Sequence, residues 1–470
     1  MNRTARKLAA ATAVALTLVG APGAQAQEQA KSNSTPPPVD RGYLKPFKPP
    51  AEDVDYAQKT QCVRSGTGNR PIPNKPWGQM QLRLEEAHRF ATGAGVKIGI
   101  IDTGVNADHP RLRGRVTSGG DYVETEKGGT SDCDGHGTEV AGIAAASRDE
   151  QTGFVGAAPD AEVVAYRQTS SHFEYKDPAN RDNRPSAGKV RTLAEAIVAA
   201  ATAGVRVINI SLTSCELPNA PSEQERELQA AIDWAVNDKD VVIVTAAGNV
   251  EPDDGCSVQN DNQDPDHVNI VASPGWYADN VLSVASMSEK GTVSSFSVWG
   301  PWVSVAAPGE QITTLDPAGE GLSDARVDEK GTPSPLQGTS YASPYVAGVV
   351  ALVRQRFPDL TAHQVMDRVK ATAQHPGNPG GRDHKVGAGM INPIAALTAE
   401  LPSEKGVKPA DPPQLMTDLD PLNPPDHTPL IVALSGTGAG VGLLLLTLFI
   451  VHTVNRNRAR RTTPVRRSVI

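Results

Sequence analysis

Val96-Lys97-Ile98-Gly99-Ile100-Ile101-Asp102-Thr103-Gly104 is a short apolar run closed by an acid, a hydroxyl and a glycine. A run of that length, ended by a turn signal, reads as a buried strand. Similar runs recur at Glu162–Tyr166, Val205–Ser211, Val241–Ala246, Val281–Ala285 and Val303–Ala306. Helical patterns separate several of them, at Glu139–Ala146, Thr192–Ala203 and Glu223–Asn237. Two more lie outside the strands, Gln79–Phe90 before the first and Pro344–Arg356 after the last. Strands alternating with helices imply an α/β fold, a mostly parallel central sheet covered on both faces, three layers in all. Ligands of such sheets sit at the carboxyl ends of the strands. Asp102, Ser211 and Asn249 fall at or just after such ends. Gln168–Lys189 is polar and turn-rich and reads as a surface loop.

The flanks have a different character. Residues 1–26 have a basic start, an apolar run Leu8–Val19 and the small-residue site Ala24-Gln25-Ala26, the pattern of a secretory signal. Residues 27–76 hold nine prolines, which favour an extended arm over packed structure. The body reads from 77 to 400, and a second Pro-rich stretch, 401–429, reads as a linker. Residues 430–454 then contain no Asp, Glu, Lys or Arg, and a bilayer needs roughly 20 apolar residues. Six arginines follow in the tail, 455–470. Signal, span and basic tail agree on a single-pass type I topology, body outside the cytoplasmic membrane and tail in the cytoplasm. With Arg3, Arg6, Lys7 and those six arginines set aside, 36 basic residues face 53 acidic ones. An acidic body argues against nucleic acid as a partner. The four cysteines, Cys62, Cys133, Cys215 and Cys256, form no CxxC pair, and export places them where disulfides persist.

The chemistry concentrates in three short patterns. Asp102-Thr103-Gly104 ends the first strand, and Asp134-Gly135-His136-Gly137-Thr138 opens a helix. Gln337-Gly338-Thr339-Ser340-Tyr341-Ala342-Ser343-Pro344 leads into another. Serine at a helix start is an ordinary cap when taken alone. It becomes a nucleophile only with a base within reach and a group that orients the base. Asp102, His136 and Ser340 supply that set. Asn249, at the end of Val241–Ala246, can add an amide donor to a developing oxyanion beside the Ser340 N–H.

The order Asp, His, Ser with these flanks resembles the subtilisin-like (subtilase) serine peptidases over about Trp77–Leu397. Val155-Gly156-Ala157-Ala158-Pro159, Asn209-Ile210-Ser211-Leu212 and Val305-Ala306-Ala307-Pro308-Gly309 are similar to family landmarks. With its arm, linker, span and tail the chain looks like the mycosins, the membrane-anchored subtilases of type VII secretion systems. The resemblance implies a three-layer subtilisin-like fold and an endopeptidase beside the secretion membrane complex, acting on protein substrates in extended conformation. It implies a substrate cleft built from Ser211, Leu212, Thr213, Ser214, Ala247 and Gly248. Here Thr213 and Ser214 stand where many secreted subtilisins have two glycines, so only backbone pairing is carried over. The arm is too short for a folded inhibitory propeptide, and activation is expected not to need its removal.

Four cysteines allow three connectivities, and Cys62–Cys133 with Cys215–Cys256 is the expected one. No cofactor is expected, and no metal, since the Asp-rich run Asp261–Asp266 fits no calcium loop. The rival reading is a structural stabiliser of the secretion complex for which proteolysis is dispensable.

Overall fold

The structure, a computed structural model, describes residues 33–65, 71–176, 185–251, 256–261, 264–327, 332–406 and 427–461. The expected signal segment, residues 407–426 of the expected linker and residues 462–470 of the basic tail lie outside them.

The arm contributes one short strand, β1 (Tyr56–Gln58). The body opens with α1 (Trp77–Gln81) and α2 (Leu84–Ala87). The single expected helix Gln79–Phe90 is broken because Arg83 takes a left-handed conformation, φ 52°, and Phe90 stays 42% exposed instead of joining the core. The main sheet is built from β2 (Lys97–Asp102), β3 (Val116–Asp121) and β4 (Glu162–Arg167). A side sheet takes β5 (Ser170–Tyr175) and β6 (Ser186–Ala187). Then come β7 (Val207–Ile210), β8 (Ser214–Glu216), β9 (Val242–Ala246) and β10 (Val271–Ser273), followed by β11 (Leu282–Met287) and β12 (Val303–Pro308). Seven of these form one sheet in the order β12-β11-β9-β7-β2-β4-β3, and every pairing in it is parallel. β7, β9 and β12 are buried at every position, as parallel strands covered on both faces must be.

Four longer helices cover the sheet: α3 (His136–Ala145), α4 (Val190–Thr202), α5 (Glu223–Asn237) and α6 (Thr339–Arg356). α3 packs with α6 and α4 with α5, and each pair touches the sheet. α6 is the core helix: Val346, Ala347 and Val349–Val353 have no exposed surface. It begins five residues before the expected Pro344, which lies inside it.

Several strands, β3, β5 and β6 among them, were not expected. β3 (Val-Thr-Ser-Gly-Gly-Asp) is polar and half-exposed, as an edge strand can be. Gln168–Lys189 is not a plain loop, because β5 and β6 lie in it. They form a three-stranded antiparallel sheet with β1, in the order β1-β5-β6. No apolar alternation announces β5, and its partner comes from the arm more than a hundred residues earlier in the chain. Tyr56, Val123, Cys133, Phe173 and Ala187 make a small second core under this sheet. Arg167, buried at the end of β4, ties it to the main sheet. Its guanidinium lies 4.5 Å from the Phe173 ring centroid and 2.8 Å from Glu124.

The described residues of the arm dock on the body at several points. Asn33 exchanges hydrogen bonds with both backbone groups of Val268, at 3.1 and 2.8 Å. Trp276 Nε1 donates to Ser34 O and Gln229 Nε2 to Pro37 O, each at 2.7 Å. Arg41 pairs with Asp233 at 2.7 Å. Covalent bonds join Cys62 to Cys133 and Cys215 to Cys256. At the other end, Pro402–Lys405 forms a helical turn on the body, held by Glu404 on the buried Arg368 at 2.5 Å.

The C-terminal helix Thr428–Arg461 is a separate unit. Its segment Thr428–Arg458 is long and apolar enough to cross a membrane and contains the expected span.

A bond closing a 71-residue loop removes much denatured-state freedom. Replacing Cys62 and Cys133 together by serine is expected to cost about 2–4 kcal/mol in denaturant unfolding. The Cys215–Cys256 pair is expected to remain intact in the same protein by thiol mapping.

Candidate active site

The site forms where β2, β7 and β9 end and where α3 and α6 begin. Asp102 is the last residue of β2 and is fully buried. His136 is the first residue of α3, and its side chain is 18% exposed. Their closeness depends on small residues. A β-carbon on Gly137 would lie 1.9 Å from the Gly104 carbonyl oxygen, so only glycine lets the start of α3 approach the turn after β2. Asp102 Oδ1 accepts from His136 Nδ1 at 2.7 Å and from the Thr103 N–H at 2.7 Å.

Behind this pair lies a group that sequence reasoning passed over. The Asp132 carboxylate accepts from Thr103 Oγ1 (2.9 Å), the Gly135 N–H (2.7 Å), the Thr138 N–H (2.8 Å) and Thr138 Oγ1 (2.6 Å). It caps the helix that carries His136 and holds the residue after Asp102. Thr103 Oγ1 in turn accepts from the Gly137 N–H at 2.9 Å. An acid four residues before a helical histidine was the available signal. Burial, with Asp102 adding to it, pushes the Asp132 pKa up to about 7 against the hydrogen bonds from Thr138 and Thr103.

Ser340 stands in the first turn of α6. Pro344, four residues on, has no N–H, so the Ser340 carbonyl lacks its helical donor. Ser211 Oγ replaces it at 2.9 Å and accepts from Asn209 Nδ2 at 2.8 Å. Ser211, expected as a cleft residue, thus also supports the backbone of Ser340 from below. Asn249 Oδ1 accepts from the Thr339 N–H (2.9 Å) and Thr339 Oγ1 (3.0 Å), and Thr339 Oγ1 accepts from the Gly248 N–H (3.2 Å). The amide is thereby fixed with Nδ2 turned away from Thr339. A β-carbon on Gly338, at φ 153°, would sit 3.0 Å from Ser340 Oγ and 3.4 Å from Asn249 Nδ2. The space between hydroxyl and amide is therefore kept open by glycine.

His136, Ser340 and Asn249 share one cleft of about 470 Å³, with Leu212 and Thr213 on its wall. Ser214 lies instead in a neighbouring pocket of about 230 Å³, to which Leu212 and Thr213 also contribute. Ala247 is fully buried, and the Gly248 N–H is turned to Thr339, so neither lines the cleft; Ala246 does. The arm reaches the cleft through Val63, whose N–H donates to Cys133 O at 2.9 Å. Burial lowers the His136 pKa, but the charge and hydrogen bond of Asp102 outweigh it, and the net shift is upward from 6.5. Among the described residues no cluster of three metal-ligating side chains occurs.

Residues 93–389 match the Subtilase family, Peptidase_S8. Mycosin-1 of Mycobacterium tuberculosis is 44% identical, over 87% of this chain and 92% of that protein. The chain belongs to the subtilase family, in its mycosin group. Among solved structures, MycP1 from Mycobacterium smegmatis superimposes on this subtilase with a TM-score of 0.71 at 42% identity. The match covers 80% of this chain and 98% of that one. A chain of an intact ESX-5 inner membrane complex matches with a TM-score of 0.73 at 36% identity, over 89% of this chain and all of that one. As a family member it is a subtilisin-like serine protease.

A carboxyl with a folded pKa above its unfolded value keeps its proton longer when folded. It favours the fold at low pH, and that contribution is lost as pH rises from the ordinary carboxylate range to about 7. In this subtilase Asp132→Asn removes that titration, at the cost of an acceptor oxygen. The variant is expected to be less stable at pH 4, with a smaller loss of stability than the parent between about pH 4 and pH 7. Thermal unfolding across that range reads the difference.

Proposed function

We propose that the chain is a membrane-anchored serine endopeptidase of the type VII secretion machinery, with Asp102, His136 and Ser340 as its triad. The observation that carries this reading is the 2.7 Å bond between buried Asp102 and His136, in one cleft with Ser340 and Asn249.

Ser340 Oγ attacks a peptide carbonyl carbon while His136 Nε2 removes its proton. The carbonyl oxygen becomes an oxyanion, which takes hydrogen bonds from Asn249 Nδ2 and the Ser340 N–H. That N–H lies in the first turn of a helix, where backbone donors have no internal partner. The imidazolium, held by Asp102, then gives its proton to the leaving amine as the C–N bond breaks. Water, deprotonated by the same histidine, cleaves the acyl-enzyme and returns Ser340. Leu212 and Thr213 offer the backbone edge along which an extended substrate lies. The arm stays in place, since Cys62 is bonded three residues before His136.

The relatives support the setting. One matching chain is part of an ESX-5 inner membrane complex, and the helix Thr428–Arg458 suits a single membrane crossing. The arginines beyond it favour a tail in the cytoplasm and a cleft outside, by the positive-inside rule. Structural support of the complex is the second reading, favoured by the same assembly.

Ser340→Ala in the full-length protein is expected to abolish both peptide cleavage and labelling by a fluorophosphonate. Intact labelling would sink the assignment. If that variant sustains secretion while deletion of the chain stops it, structural support is the dominant role. The base must be neutral to act, so kcat/KM is expected to rise with pH along a limb centred above 6.5, the ordinary histidine value. Asp102→Asn is expected to move that limb to lower pH and to cut the plateau by about 10⁴. A limb left where it was would separate Asp102 from the base.

A further inference from the structure

The cleft carries a cation that the proteolytic chemistry does not use. Arg326 lies on a short hairpin of Ala325–Val327 with Pro333–Pro335 and lines the same cleft as His136 and Ser340. Its side chain is 45% exposed, while that of Glu139, its partner, is 4% exposed. Arg326 Nη2 donates to Glu139 Oε2 at 2.9 Å and approaches the Tyr341 hydroxyl at 3.4 Å. That hydroxyl donates to Glu139 Oε2 at 2.7 Å.

Both anchors belong to neighbours of the reacting groups. Glu139 is three residues after His136 on α3, and Tyr341 follows Ser340, with its ring centroid 5.5 Å from that of His136. A buried carboxylate is costly without a cation, and Arg326 offsets that cost. It does so through one nitrogen. Nε and Nη1 have no hydrogen-bond partner among the described residues, and a guanidinium carries five N–H donors in a planar fork. The fork is thus held through Nη2, with its other donors left for a ligand in the cleft that Arg326 lines.

The side of the cleft follows from the proton path. His136 must reach the leaving amine, so the amine side of a substrate runs along the wall that holds His136, Tyr341 and Arg326. We propose that Arg326 is a specificity-determining residue that binds a carboxylate on the C-terminal side of the scissile bond. The carboxylate belongs either to an acidic side chain or to a chain terminus. This rests on the peptidase reading for its direction along the substrate, but the binding itself does not need catalysis.

The test uses full-length protein in detergent carrying Ser340→Ala, so that bound peptides persist. Fluorescent peptides that differ only in Glu against Gln at the C-terminal half, each with a free or an amidated terminus, are titrated by anisotropy. An acid-bearing peptide is expected to bind about tenfold tighter than its amide counterpart, as a charge-assisted hydrogen bond allows. The preference is expected to shrink as salt is raised. Adding Arg326→Gln should bring the ratio to about one, and Arg326→Lys, which keeps charge without the fork, should leave an intermediate value. The Glu/Gln arm and the free/amidated arm tell which carboxylate is read. No preference in the parent, no binding of any peptide, or a ratio that survives Arg326→Gln overturns the proposal. Fluorophosphonate labelling of the Ser340-containing protein is read in parallel. Its failure, with the Arg326-dependent preference intact, counts against the peptidase reading and not against this one.

Discussion

A single half-buried carboxylate joins the two elements that make the site. Asp132 takes four hydrogen bonds, from Thr103, Gly135 and Thr138, and so fastens the start of α3 to the end of β2. Helix starts leave unpaired N–H groups, and a strand end leaves the chain free to diverge. One acceptor answers both problems. With it in place, the backbone contact of Gly137 with Gly104 and the Asp102–His136 bond follow from short-range geometry. The burial of Asp132 is the energetic consequence, visible in its raised pKa.

The other half of the site answers a different constraint. α6 is a deeply buried helix whose first turn contains Ser340 and whose sixth residue is a proline. Proline removes a ladder bond, which in an isolated helix costs about 3 kcal/mol or more. Here the freed Ser340 carbonyl is met by Ser211, and Ser211 by Asn209, from the end of β7. Thr339 does the same for the next strand, linking Gly248 and Asn249 after β9 to the helix start. Hydroxyls at one helix terminus thus connect it to the ends of two strands, and they set the geometry of Ser340 and Asn249 together.

The arm is explained by its contacts rather than by its composition. Alone it cannot bury enough apolar surface to fold. It gains order by adding β1 to β5, by placing Tyr56 in a small core and by the bond to Cys133. The same loop that carries Cys133 carries Asp132 and leads into His136, so arm and site share a support. Arg326 lies on a hairpin anchored to α3 by Glu139.

Much of this was legible in the residues. The buried strands β2, β4, β7, β9, β11 and β12 are apolar runs ended by turn residues, and the α/β alternation follows from them. The motif residues fall at strand ends and helix starts because a parallel sheet puts its functional edge there. β3 was not legible because an edge strand need not be apolar. β5 was not because its partner is remote in the chain and supplies the hydrogen bonds that make it a strand. The break at Arg83 and the early start of α6 depend on what surrounds those turns, not on periodicity. Residue type and order alone determined the fold class, the candidate triad and the membrane-length helix. Tertiary structure alone decided the roles of Asp132, Thr339, Ser211 and Arg326. Each of these acts through hydrogen bonds to groups distant in sequence, and such a bond exists only once the chain has brought its two ends together.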